Sequence, residues 1–115
     1  MSPADAHILR YVVLRHEGIA EPHFDLMFET APGSMLATWR SAEWPIATGT
    51  PIEHLADHRR EYLDYEGPVS GNRGFVRRVA CGTHIVRSND PALLVVELDA
   101  RAVLRLPLNR VKTTR

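Results

Sequence analysis

The chain has 115 residues, of which 44% are hydrophobic and 24% charged, which is globular usage and excludes a disordered chain. The longest uninterrupted apolar run, Ala92 to Val96, falls far short of the roughly 20 residues that cross a bilayer, and no basic flank precedes an apolar run at the N-terminus as it does in a secretory signal. Formal net charge is zero, yet residues 1–57 carry three Arg against eight Asp/Glu while residues 58–115 carry eleven Lys/Arg against six, so only the second half offers a local footprint for nucleic acid.

Residues 1–115 are expected to form one domain. Ile8 to Arg15 is β-branched and aromatic and reads as a mostly buried strand. His23 to Glu29 reads as a second, with Phe24, Leu26 and Phe28 on one face and His23, Asp25, Met27 and Glu29 on the other. Pro32-Gly33-Ser34 reads as a hairpin turn into Met35 to Arg40, and Glu43 to Pro51 as loop. His54 to Leu63 reads as a short helix or as irregular chain, since Leu55, Arg59 and Tyr62 would lie close together on a helix. Gly67 to Gly74 is turn-rich. Phe75 to Ala80, His84 to Arg87, Leu93 to Leu98 and Val103 to Leu108 are further strand candidates, with Gly82 and Asn89-Asp90-Pro91 dividing them. This pattern predicts a mainly β fold: a compact, closed or partly closed β-barrel of about six to eight strands with one or two short helices.

The second strand carries the most chemistry. Residues two apart on a strand point the same way, so His23 and Asp25 offer an imidazole and a carboxylate to one point. His16 lies seven residues upstream and would face His23 if the first two strands form a hairpin. Two His and one Asp leave coordination positions open, as catalytic metal sites do, and such mixed donors suit Mn²⁺, Zn²⁺, Co²⁺ or Fe²⁺ without choosing among them. A surface His–Asp hydrogen bond is the simpler alternative. His58 and Tyr62, four apart, share a side in either a helix or a strand. Together they could move a proton and hold a phosphate oxygen, or merely cap and pack. Ser70-Gly71-Asn72-Arg73-Gly74 could cradle a phosphate, with Arg73 as a clamp, or form a plain turn. Arg77 and Arg78 point to opposite faces of their strand. Trp39 is expected in the core and Trp44 in a buried loop position. His7, His54 and His84 show no partner pattern. Cys81, the single cysteine, excludes an internal disulfide, is expected to be buried, and suits a reducing cytoplasm.

Taken in order, Arg15-His16, His23-Phe24-Asp25-Leu26, Glu29, Met35 to Trp39, Asp57-His58, Glu61-Tyr62 and Tyr65-Glu66-Gly67 resemble the 3′-phosphoesterase domain of bacterial DNA ligase D. That domain is also called the DNA polymerase/ligase N-terminal domain, and the small stand-alone proteins of the group look most similar. The resemblance runs from about residue 10 to residue 108. It implies a compact β-barrel, a divalent metal that is usually Mn²⁺, and trimming of DNA 3′ ends in break repair. In that chemistry a terminal ribonucleoside is removed to leave a 3′-phosphate, and then the phosphate is removed to leave a hydroxyl. Carried across, His16, His23 and Asp25 become metal ligands, and His58 and Tyr62 phosphate contacts. A separate ligase or polymerase would act in trans, and no membrane would be involved.

The chain also departs from that pattern. Met27 stands where the family usually has an Arg, Arg40 to Pro45 lacks a usual lysine, and Thr50 lies near the place of a basic residue. The interval from His16 to His23 is one residue longer than usual. Arg73, Arg40 and Arg77 are the candidate replacements for these cations, the first two as substrate-binding residues. The rival expectation is a weakened or inactive barrel that binds nucleic-acid ends or a repair partner.

Overall fold

The computed structural model describes residues 8–47 and 49–108, so His7 lies outside the described residues. The strands are β1 (Leu9–Glu17), β2 (His23–Glu29), β3 (Leu36–Ser41), β4 (Ile52–His58), β5 (Gly67–Pro68), β6 (Phe75–Asn89), β7 (Leu93–Leu98) and β8 (Ala102–Pro107). They build one antiparallel sheet in the order β4-β3-β2-β1-β6-β7-β8, with β5 added alongside β6. Register shifts interrupt the ladders at Val13/Leu14, Leu36/Thr38 and Val86/Ser88, and such bulges bend and twist a strand. The sheet curls until β3 meets β8, where the indole N–H of Trp39 donates to the Pro107 carbonyl at 2.7 Å. The result is a partly closed barrel. No helix among the described residues is long and apolar enough to cross a membrane.

Alternation along the first two strands sorts their side chains into two layers. Tyr11, Val13, Leu26, Phe28, Ala37 and Trp39 fill the interior with Leu94, Val96, Leu98 and Leu106 from the far strands. Val12, Leu14, Met27, Leu36 and Val76 face outward and form a second apolar cluster, capped by Leu63, with Tyr62 and Val69 packed against it. Burying the outer face of a sheet in this way needs a cover, and one turn of 3₁₀ helix, Arg60–Leu63, supplies it. Glu29 pins that turn. Its carboxylate accepts from Arg60 Nη1 at 2.6 Å and from the Arg10 backbone N–H at 2.7 Å, and Arg60 also donates to the Ser34 carbonyl. Burial pushes the Glu29 carboxyl upward, but those donors outweigh it and hold the group below its ordinary range.

Three local expectations are corrected. The stretch from His54 is extended, not helical: β4 runs through His58, and only the last four residues turn. Pairing with the free edge of β3 decides it, because His54 then stacks on Trp39 at 4.8 Å between ring centroids. Gly82 does not divide two strands; β6 runs unbroken through it for 15 residues. A Cβ at Gly82 would lie 2.2 Å from Asp99 Oδ1, so the glycine admits a carboxylate onto the strand rather than ending it. Cys81 is exposed, not buried, because the outer cluster takes only Val76 from β6 and stops short of it.

His84 is a core residue that its sequence context did not reveal. It is 2% exposed, with Nε2 bonded to the Glu29 carbonyl at 2.8 Å and Nδ1 without a partner. Burial holds it neutral, with its pKa below the ordinary 6.5. The unfolded chain therefore binds a proton first as pH falls, so this contribution to stability is complete above about 6.5 and is lost below it. Urea midpoints measured at pH 7.5 and 5.5 are expected to drop between the two for the native chain, and to drop less for His84→Gln. An equal drop in both would remove His84 as the cause.

Candidate metal centre

The β1–β2 hairpin sets His16 directly opposite His23 and Leu14 opposite Asp25. His16, His23 and Asp25 therefore lie on the outer face, at the hairpin end of the second apolar cluster. Each offers one donor atom, and the three atoms lie within 4.8 Å of one another. His23 Nε2 stands 3.3 Å from Asp25 Oδ1, and His16 Nδ1 stands 3.9 Å from Asp25 Oδ2. The two imidazoles meet edge to face, 5.1 Å apart.

Both rings are held from behind by backbone carbonyls. His23 Nδ1 donates to Glu21 O at 2.9 Å, and His16 Nε2 donates to Arg73 O at 2.8 Å. These bonds fix the tautomers, so His23 Nε2 and His16 Nδ1 carry lone pairs and point them toward the carboxylate. With both rings neutral, three acceptors thus face one another. His23 Nε2 and Asp25 Oδ1 are buried and have no hydrogen-bond partner. Such groups are costly alone, whereas a divalent cation satisfies them at once. Two ligands of one ion at about 2.1 Å stand roughly 3.0–3.4 Å apart, which is the spacing His23 and Asp25 already have. A backbone carbonyl on the distal imidazole nitrogen is the support that metal-bound histidines usually show.

The Arg73 carbonyl arrives through a close approach of two turns. Val69 N–H bonds to Gly74 O at 2.8 Å and closes the loop. Gly74 has φ +73°, and a Cβ on it would lie 2.1 Å from Glu17 O. The loop can therefore rest against the β1–β2 turn only with a glycine there. No sequence signal marks this role for Arg73, because it belongs to a backbone atom.

Register separates the three candidate cations. Arg40 pairs with Asp25 across the β2–β3 ladder, and its Nε lies 4.0 Å from Asp25 Oδ1, with its side chain about half exposed. The Arg73 guanidinium is folded back on its own loop, donating to Ser70 O and Ser70 Oγ. Arg77 pairs with Arg15, on the opposite face, and reaches toward Glu17. Arg40 is thus the one of the three whose side chain reaches the triad.

His58 and Tyr62 do come together, with rings 6.0 Å apart, but they form a second group beside the first. His58 pairs with Leu36 and Tyr62 packs on the outer apolar cluster, so both share the triad's face. Met27, 1% exposed, lies between them and Asp25 along β2. His58 Nδ1 bonds to the Ala56 carbonyl at 3.0 Å, which leaves Nε2 as the nitrogen that can take or give a proton. Trp39 is fully buried, as expected, whereas Trp44 is only half-buried, packing against the core from its loop. No protein-family model matches the chain, and no curated protein matches it.

Proposed function

We propose that this protein is a divalent-metal-dependent phosphoesterase of the DNA ligase D 3′-phosphoesterase type, acting on ribonucleoside- or phosphate-tipped DNA 3′ ends. The observation that carries the reading is the pair of His23 Nε2 and Asp25 Oδ1, buried and without a hydrogen bond, with His16 Nδ1 as a third donor atom converging on the same point. His16, His23 and Asp25 would hold the ion, Mn²⁺ by the family resemblance and Zn²⁺ or Co²⁺ by the donor set. Once bound, it would supply Lewis acidity toward a phosphate oxygen.

The remaining work falls to the chain itself. Arg40, half exposed beside Asp25, holds a phosphate by charge and hydrogen bonds. His58 Nε2 gives or takes a proton at the phosphate, and the Tyr62 hydroxyl donates to a phosphate oxygen. A separate ligase or polymerase would use the resulting 3′-hydroxyl, in the cytoplasm.

One observation favours a second reading, a barrel that binds ends without cleaving them. Met27 is buried in apolar surroundings between the triad and Tyr62, where a thioether cannot neutralise phosphate. The deciding assay supplies Mn²⁺ and a primer–template ending in a 3′-phosphate or one ribonucleotide. Turnover by the native chain and none by His23→Ala is expected. Metal-dependent DNA binding without turnover would establish the second reading instead.

A further inference from the structure

Beyond the triad, the outer face carries a line of three rings. His58 and Tyr62 meet at 6.0 Å and 60°, and Tyr62 and Tyr65 at 6.1 Å and 81°. Tyr62 is seated on the apolar cluster. Tyr65, at the outer end, is fixed but uncovered. Its hydroxyl donates to the Pro68 carbonyl and occupies the space that a side chain on Gly67 would need, a Cβ there falling 3.1 Å from it. The ring is therefore held at its polar end, yet the residue is 37% exposed. A right-angle contact with Tyr62 covers at most one face of the Tyr65 ring.

We infer that Tyr65 is a stacking platform for the terminal base of a nucleic-acid strand, an inference that rests on the proposed action at 3′ ends. Every base has a flat π-face, and an exposed, immobilised ring binds such a face without ordering cost. The surroundings suit a heterocycle better than an apolar side chain. Asp64 and Glu66 flank the ring in sequence and are exposed. Each is neutralised by an arginine: Asp64 Oδ1 lies 2.6 Å from Arg10 Nη2, and Glu66 Oε1 lies 3.7 Å from Arg78 Nη2. The rim thus offers polar groups for base edges without a net negative charge against the phosphates.

The probe is single-stranded DNA with 2-aminopurine as its 3′-terminal base and a 3′-hydroxyl, so that no turnover occurs. Mn²⁺ is present, strand binding is followed by anisotropy, and stacking is followed by quenching of the probe. The native chain is expected to quench the terminal probe more strongly than one placed five nucleotides inward. Tyr65→Leu should lose that quenching and bind about tenfold more weakly. Tyr65→Phe should keep the quenching and lose less binding than Tyr65→Leu, because it keeps the ring and gives up only the hydroxyl that holds it, which separates loss of the ring from loss of fold. Native-like quenching by Tyr65→Leu, with binding intact, would overturn the platform and leave the action at 3′ ends standing. No strand binding by the native chain would overturn the platform, and the absence of both turnover and binding with the primer–template ending in a 3′-phosphate would overturn the action at 3′ ends.

Discussion

Asp25→Asn is expected to leave the metal-free protein at least as stable as the native chain while abolishing its stabilisation by Mn²⁺. The two effects have opposite signs because one carboxylate causes both. Without an ion, Asp25 Oδ1 and His23 Nε2 are buried acceptors facing each other at 3.3 Å. Each unsatisfied group of this kind costs about 1–3 kcal/mol. An asparagine amide can donate to His23 Nε2 and relieve both, but it is a poor ligand and brings no charge. The native chain should gain about 2.7 kcal/mol when the ion stands at a hundred times its dissociation constant, and Asp25→Asn and His23→Ala should gain nothing. Urea titrations with and without Mn²⁺, Zn²⁺ and Co²⁺ read both quantities and rank the ions. The site would be refuted if Asp25→Asn destabilised the metal-free chain and kept the full increment, for the carboxylate would then be structural.

That test rests on residues whose placement was legible before any coordinates. In β2, Phe24, Leu26 and Phe28 alternate with His23, Asp25 and Glu29, and Met27 is the one apolar residue on the second face, so one register decides which side chains share a face. The short span between His16 and His23 brought β1 back beside β2, and the two imidazoles fell opposite each other. Legibility failed where two periods competed. Leu55, Arg59 and Tyr62 satisfy a helix, yet His54 gains more by stacking on Trp39 from an extended strand, a tertiary contact that local spacing cannot encode. It failed again at Gly82, where the reason for glycine is Asp99, 17 residues away. The carbonyls of Glu21 and Arg73 that orient the imidazoles were invisible for a different reason, since every residue has a carbonyl and only the fold selects two of them. Sequence reading put Arg73 and Arg40 ahead of Arg77 as substrate-binding residues but could not choose between those two. The β2–β3 ladder made the choice by setting Arg40 against Asp25.

That ranking can be tested by moving charge. Arg40→Gln is expected to weaken binding of an oligonucleotide 3′-phosphate about 10- to 100-fold, the worth of a charge-assisted contact. Arg73→Gln and Arg77→Gln should change it by no more than about threefold, because their guanidinium groups are turned to Ser70 and to Glu17 and exposed pairs contribute little. An equal loss from Arg73→Gln would show that the Ser70 to Gly74 loop, not β3, grips the phosphate. Placing the cation where the ligase D domains usually carry it is a different matter. Met27 is 1% exposed and packed with Leu14, Leu36 and Leu63 beneath Tyr62. An arginine there must pass its charged head out of an apolar layer, either by lifting the 3₁₀ turn or by leaning toward Asp25. Met27→Arg is therefore expected to lower stability by about 2–4 kcal/mol, with any gain in phosphate affinity seen only in the fraction that remains folded. If Met27→Arg instead proved as stable as the native chain and bound phosphate more tightly, the layer beneath Tyr62 would be open to solvent in solution. The missing cation, and not the packing around it, would then be what limits this site.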